Sequence, residues 1–98
     1  MSSNLSENDT VLVGKKPLMN YVIACLTLFD SNISPIKVKA RGLAISRAVD
    51  AVELLRRAFI KDLKIKIIST DTLMFTKRSG IDRSISTIEI VISKPDTR

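Results

Sequence analysis

The sequence predicts one α+β domain with the element order βαβαββ, and three observations carry that expectation. Two segments with apolar residues at helical spacing alternate with short β-branched runs in the first part of the chain. Two longer runs rich in Ile and Thr fill the last part. A polar, glycine-containing turn separates those two runs.

Each element follows in chain order. Residues 1–9 are Ser, Asn and acid rich and read as a frayed N-terminal tail, with neither a secretory signal nor an Arg-rich transit peptide. Val11 to Val13 is a β-branched run ended by Gly14, and Lys15, Lys16 and Pro17 follow, with Pro favoured at the first helical position. The helix over about Pro17 to Ser31 sets Leu18, Val22, Cys25 or Leu26, and Phe29 on one face; it should be largely buried and stop where Asn32 takes a left-handed cap. Ile36 to Arg41 alternates strictly, which puts Ile36, Val38 and Ala40 on a buried face and Lys37, Lys39 and Arg41 on a basic one. Gly42 breaks this strand. A second helix then carries Ile45, Ala48, Val49, Val52, Leu55 and Phe59 as its apolar stripe. On its charged side Glu53 and Arg57 stand at i and i+4, and Arg56 and Arg57 complement the C-terminal dipole. Leu63 to Thr76 and Ser84 to Lys94 are the two long strands, and Lys77 to Arg83 is an exposed hairpin tip bearing Lys77, Arg78 and Arg83. The single domain spans 10–94, and 95–98 form a short polar tail.

Composition narrows function. The chain of 98 residues has 16 Lys plus Arg against 10 Asp plus Glu, a net charge of +6, which favours a polyanionic partner. The longest nearly uncharged run, Pro17 to Phe29, is too short to cross a bilayer, so no membrane partner is expected. The single Cys25 lies in an apolar stretch with neither a disulfide partner nor metal-ligand spacing; it reads as a small buried hydrophobe in an intracellular protein. There is no His and no Gly-rich phosphate loop, so no cofactor, metal or small-molecule substrate is expected. Asp50 and Glu53 are the only acids at helical spacing. They belong to a solvated face with arginines one turn away, where nothing raises a carboxylate pKa, so the chain is not expected to be an enzyme.

What remains is an arrangement of cations. Lys15 and Lys16 sit at a strand-to-helix turn, and Arg41 ends the second strand beside Gly42, close to the start of the second helix. With parallel strands, strand ends and helix starts share one edge, so these three should converge. With one Tyr and three Phe in the chain, such a patch suits a phosphate backbone better than stacked single-stranded bases.

The run Val11-Leu12-Val13-Gly14-Lys15-Lys16-Pro17 with Met19-Asn20-Tyr21-Val22 resembles the opening motif of the Alba family of archaeal chromatin proteins. Ile36 to Gly42, with Ala44 to Asp50 after it, resembles that family's second block, and Ser86 to Ile90 its last strand. The resemblance runs in order from about Thr10 to Lys94. It implies a four-stranded mixed sheet with two helices on one face and a long hairpin arm. It also implies a cytoplasmic, chromosome-associated homodimer that binds double-stranded DNA, and RNA, with little sequence preference, contacting phosphates with its body and the minor groove with its arms. By position, Lys15 and Lys16 are then the paired backbone-contacting lysines, Lys15 is the acetylation site, and Arg41 is the arginine beside the loop glycine. Tyr21, Leu43 and Arg47 join that nucleic-acid-binding set, Lys77, Arg78 and Arg83 join it by charge and position on the arm, and Phe59 is the contact between neighbouring dimers, with an ordinary core role as its alternative. Two departures stand out: Leu43 replaces a basic residue common in the family, and Asp71 a common glycine, which predicts weaker central contact. Three other readings stay open: a heterodimer with a paralogue, an RNA-dedicated protein such as the Alba-like subunits of ribonuclease P, and a basic module that meets an acidic protein.

Overall fold

A computed structural model describes residues 8–80 and 82–95, so most of the two expected tails, and Ile81 in the hairpin turn, lie outside the described residues. The elements are β1 (Thr10–Leu12), α1 (Leu18–Asp30), β2 (Ile36–Arg41), α2 (Ile45–Ala58), β3 (Lys64–Thr76) and β4 (Asp82–Ser93), with a 3-10 turn at Gly42–Ala44 before α2. This is the expected βαβαββ order. The sheet is mixed, in the order β1-β2-β4-β3. β1 runs parallel to β2, and β2–β4 and β4–β3 are antiparallel.

β1 begins and ends one residue earlier than the β-branched run Val11 to Val13. Backbone bonds flank its pairing with β2 at both ends: Lys37 N–H donates to Asp9 O at 2.7 Å and Val13 N–H to Lys39 O at 2.8 Å. α1 ends as expected, with Asn32 at φ 64°. It is less buried than expected: Tyr21, Val22, Cys25 and Phe29 form its core face, while Met19 and Ile23 remain in solvent because only one face of the helix meets the sheet and α2.

The core joins that face to the alternating sides of the sheet, Ile36, Val38 and Ala40 from β2 and Ile88, Ile90 and Ile92 from β4. α2 adds Ala48, Ala51, Val52 and Leu55. Two members of its expected stripe do not join them. Val49 lies at the stripe's edge, and Ala51 fills the buried side in its place. Phe59 leaves helical geometry at φ −125°, which carries it off the stripe to 47% exposure and removes the core alternative. Glu53 pairs with Arg56 at 2.6 Å, at i,i+3, rather than with Arg57.

β3 differs most from an ordinary sheet strand. All thirteen of its residues are exposed, including Ile67, Ile68, Leu73, Met74 and Phe75, because the helices make their main sheet contacts with β1 and β2 while β3 lies at the opposite edge, beyond β4. A register shift between Ile65 and Ile67 moves Lys66 out of the ladder. β2 ends its pairing at Arg41↔Thr87, and the β3–β4 ladder continues for five more rungs, from Thr72↔Ser86 to Thr76↔Asp82. At about 3.4 Å per residue, this is a two-stranded ribbon reaching about 17 Å beyond the sheet.

Candidate nucleic-acid interface

The site is built where β1 hands over to α1 and β2 to α2. Because β1 and β2 are parallel and adjacent, their C-terminal ends lie side by side. The turn at Gly14–Pro17 therefore stands next to the turn at Gly42–Ala44. Lys15, Arg41, Leu43 and Arg47 line one open hollow together with Val13, Gly14 and Ala44, and no acidic side chain contributes to that lining. Lys15 and Arg41 thus come together as their positions in sequence implied. Lys16, also exposed, is the next residue along the turn and outside that lining.

Backbone conformation sets the second turn. Gly42 has φ 59°, a left-handed value that a side chain would strain, and a methyl group there would lie 3.6 Å from Ile85 Cγ2. Ile85 belongs to the ribbon, so the root of the arm rests against the loop that carries Arg41 and Leu43. Leu43 is 98% exposed, a large apolar side chain among cations.

Two residues of the expected binding set occupy other roles in this geometry. Tyr21 is only 6% exposed, and its hydroxyl accepts hydrogen bonds from the backbone N–H groups of Gly14 (2.9 Å) and Lys16 (2.8 Å). Its ring offers no stacking platform. Arg47 is half-buried; its Nε donates to Gly14 O at 3.2 Å and its Nη2 donates to Lys16 O. Alternation and charge give no signal for these bonds, since each joins a helix to a turn through a side chain.

The basic face of β2 is partly neutralised. Lys39 faces Glu89 across the β2–β4 ladder, with Nζ 3.6 Å from Oε1. Arg41 also lines a second hollow, on the sheet face away from the helices, and Asp71 and Glu89 contribute to that one. Asp71 pairs with Thr87, and Thr87 with Arg41, so the acid stands two strands from the arginine on the same row.

Lys77 and Arg78 occupy the hairpin turn, closed by Gly80 N–H to Lys77 O at 2.8 Å. Arg83 is not in that turn. It pairs with Phe75 inside the ladder, because pairing runs on to Thr76↔Asp82. The three cations are exposed and remote from the hollow, at the far end of the ribbon. Phe59 sits at the opposite end of α2 from Arg47.

Among the described residues no group of three His, Cys, Asp or Glu could hold a metal ion, and no helix is long and apolar enough to cross a membrane. Burial pushes the Cys25 thiol up to about 12, so it stays protonated and unreactive near neutrality.

Residues 9–72 match the family model of Alba. The chain is 44% identical over 90 residues to the DNA/RNA-binding protein Alba 1 of Archaeoglobus fulgidus, covering 92% of this chain and 99% of that protein. It is 40% identical to the DNA/RNA-binding protein Alba of Methanocella arvoryzae, covering 93% and 95% respectively. Among solved structures, Alba from Thermoplasma volcanium superposes with a TM-score of 0.79 at 45% identity, over 87% of this chain and 99% of that one. ALBA1 from Trypanosoma brucei gives a TM-score of 0.73 at 29% identity, over 91% of this chain and 71% of that one.

Proposed function

The chain belongs to the Alba family, and from that premise we propose that it binds double-stranded DNA, and RNA, through phosphate contacts with little sequence preference, organising chromatin as a homodimer. The observation that carries this reading is the acid-free hollow where Lys15 and Arg41 meet at the ends of two parallel strands. Point cations on a fixed scaffold recognise a polyanion by charge and spacing and carry no base-edge information. The names of the relatives from Archaeoglobus fulgidus and Methanocella arvoryzae support the same partner.

In this reading Lys15, Lys16 and Arg41 meet the phosphates of the duplex, and Lys77, Arg78 and Arg83 follow the minor groove from the arm. Acetylating Lys15 removes one of the central charges and weakens binding. Phe59, exposed beyond the end of α2, suits the contact between neighbouring dimers on DNA. The reading assigns no catalytic step to any residue, and it places the protein on the chromosome.

The test is a salt titration. Replacing Lys15 and Lys16 with Ala lowers duplex affinity equally across sequences and reduces the log-log salt slope by roughly 0.9 per lost phosphate contact. An unchanged slope would falsify the assignment of the central patch. Competition between duplex DNA and structured RNA at fixed salt ranks the two ligands and decides the RNA-dedicated alternative.

A further inference from the structure

The Gly14–Lys16 turn is held from both sides by side chains of two different helices. Tyr21, in the first turn of α1, accepts from the N–H groups of Gly14 and Lys16, using both lone-pair directions of one phenol oxygen. Arg47, in the first turn of α2, donates to the carbonyls of the same two residues. Both backbone donors and both backbone acceptors flanking Lys15 are therefore satisfied inside the protein.

We propose that Tyr21 and Arg47 are positioning residues, a clamp that fixes the turn in one conformation before nucleic acid arrives. The inference rests on the nucleic-acid reading above and assigns to these two residues a role other than direct contact. Without the clamp, the backbone around Lys15 would be ordered at the moment of binding, and affinity would fall by that ordering cost. Charge alone does not explain Arg47. Its planar fork spans two carbonyls from one side chain, which a lysine ammonium at the end of a flexible stem does not reproduce. Nor does packing alone explain Tyr21, because a phenylalanine would fill the same space and leave two part-buried N–H groups without an acceptor.

Salt slope separates positioning from contact. The full chain carrying Tyr21→Phe, Arg47→Lys or Arg47→Met is titrated with duplex DNA over a range of salt, beside the Lys15→Ala, Lys16→Ala double variant, while amide exchange is followed at residues 14–16. The clamp predicts that all three variants lose roughly tenfold in affinity, the size of one strong hydrogen bond. They keep the parental salt slope and exchange faster in the turn, whereas the lysine variant lowers the slope. A slope reduced by roughly 0.9 in Arg47→Met with exchange unchanged makes Arg47 a phosphate contact and overturns the proposal. Faster exchange with unchanged affinity overturns it as well, since turn order would then not matter to binding. Should Tyr21→Phe fail to fold, the two Arg47 variants decide alone. If the Lys15→Ala, Lys16→Ala variant leaves the slope unchanged, the central-patch assignment on which the clamp rests falls, and that outcome is distinct from the other two.

Discussion

Leu43 and Asp71 are the two residues most at odds with a phosphate-binding surface. Leu43 is 98% exposed, beside Arg41 and Lys15, where it contributes no charge and covers nothing. Leu43→Arg therefore raises duplex affinity and steepens the salt slope by roughly 0.9, measured against the parent in one titration series. Asp71 lies on the row of Arg41 and Thr87 and opposes an approaching phosphate, so Asp71→Asn raises affinity at low salt and converges with the parent at high salt, where screening removes the repulsion. Cys25 supplies a residue-scale test of the core. Its thiol is held near 12 by burial, against 9.0 for the free group. The unfolded chain thus ionises first on raising pH, and the stability Cys25 contributes is present below about pH 9 and declines above it. Alkylation at neutral pH should proceed at the rate of unfolding; fast labelling of the native protein would show that the thiol is not buried.

At the scale of elements, the β3–β4 ribbon and α1 answer to different physics. α1 is held by its core face, and Phe29, 2% exposed, anchors its last turn, so Phe29→Ala destabilises by about 3–5 kcal/mol in thermal or denaturant unfolding. The ribbon beyond Thr87 has no third strand and no helix over it. A free two-stranded ribbon is marginal in water, so its tip amides exchange rapidly without ligand and are protected when DNA is added. Replacing Lys77, Arg78 and Arg83 together with Ala lowers affinity and leaves sequence preference unchanged, because the minor groove distinguishes little beyond A·T from G·C. Parental affinity in that variant, with no protection of the tip on adding DNA, would reduce the arm to a solvated turn.

For the whole molecule, the exposed apolar side chains of β3 are the dominant unsolved burial problem. Ile67 and Ile68 are 60% and 57% exposed, and Leu73, Met74 and Phe75 continue the series toward the tip. Two exposed apolar runs, Ile65–Ile68 and Leu73–Phe75 on either side of a polar stretch, are the surfaces that the proposed homodimer would cover. Sedimentation at micromolar concentration should give a dimer. Ile67→Asp with Ile68→Asp should give a folded monomer that binds duplex more weakly, since one arm no longer has a counterpart across the DNA. A parent that sediments as a monomer throughout that range would remove the two-armed arrangement.

The sequence by itself determined the element order, the alternation of β2 and β4 and the left-handed stop at Asn32, because each depends on local periodicity or on the φ preference of a single residue. It also brought Lys15 and Arg41 together, since parallel neighbouring strands leave no other place for their ends. Other features were decided only in three dimensions. Leu63 to Thr76 reads as an ordinary strand; that it lies uncovered at the sheet edge depends on where two helices pack, which no window of residues encodes. Phe59 and Val49 share the spacing of buried neighbours, but burial requires an opposing surface as well as a phase. Arg83 has the composition of a turn and the pairing of a strand, because register is fixed by the whole ladder. Tyr21 and Arg47 carry the sharpest form of the distinction: the family motif marked them for the binding surface, and side-chain hydrogen bonds across 7 and 33 residues of chain turned them toward the backbone of the lysine turn. The Arg47 bonds in particular form between groups that only the side-by-side placement of the two strand-to-helix turns brings within reach.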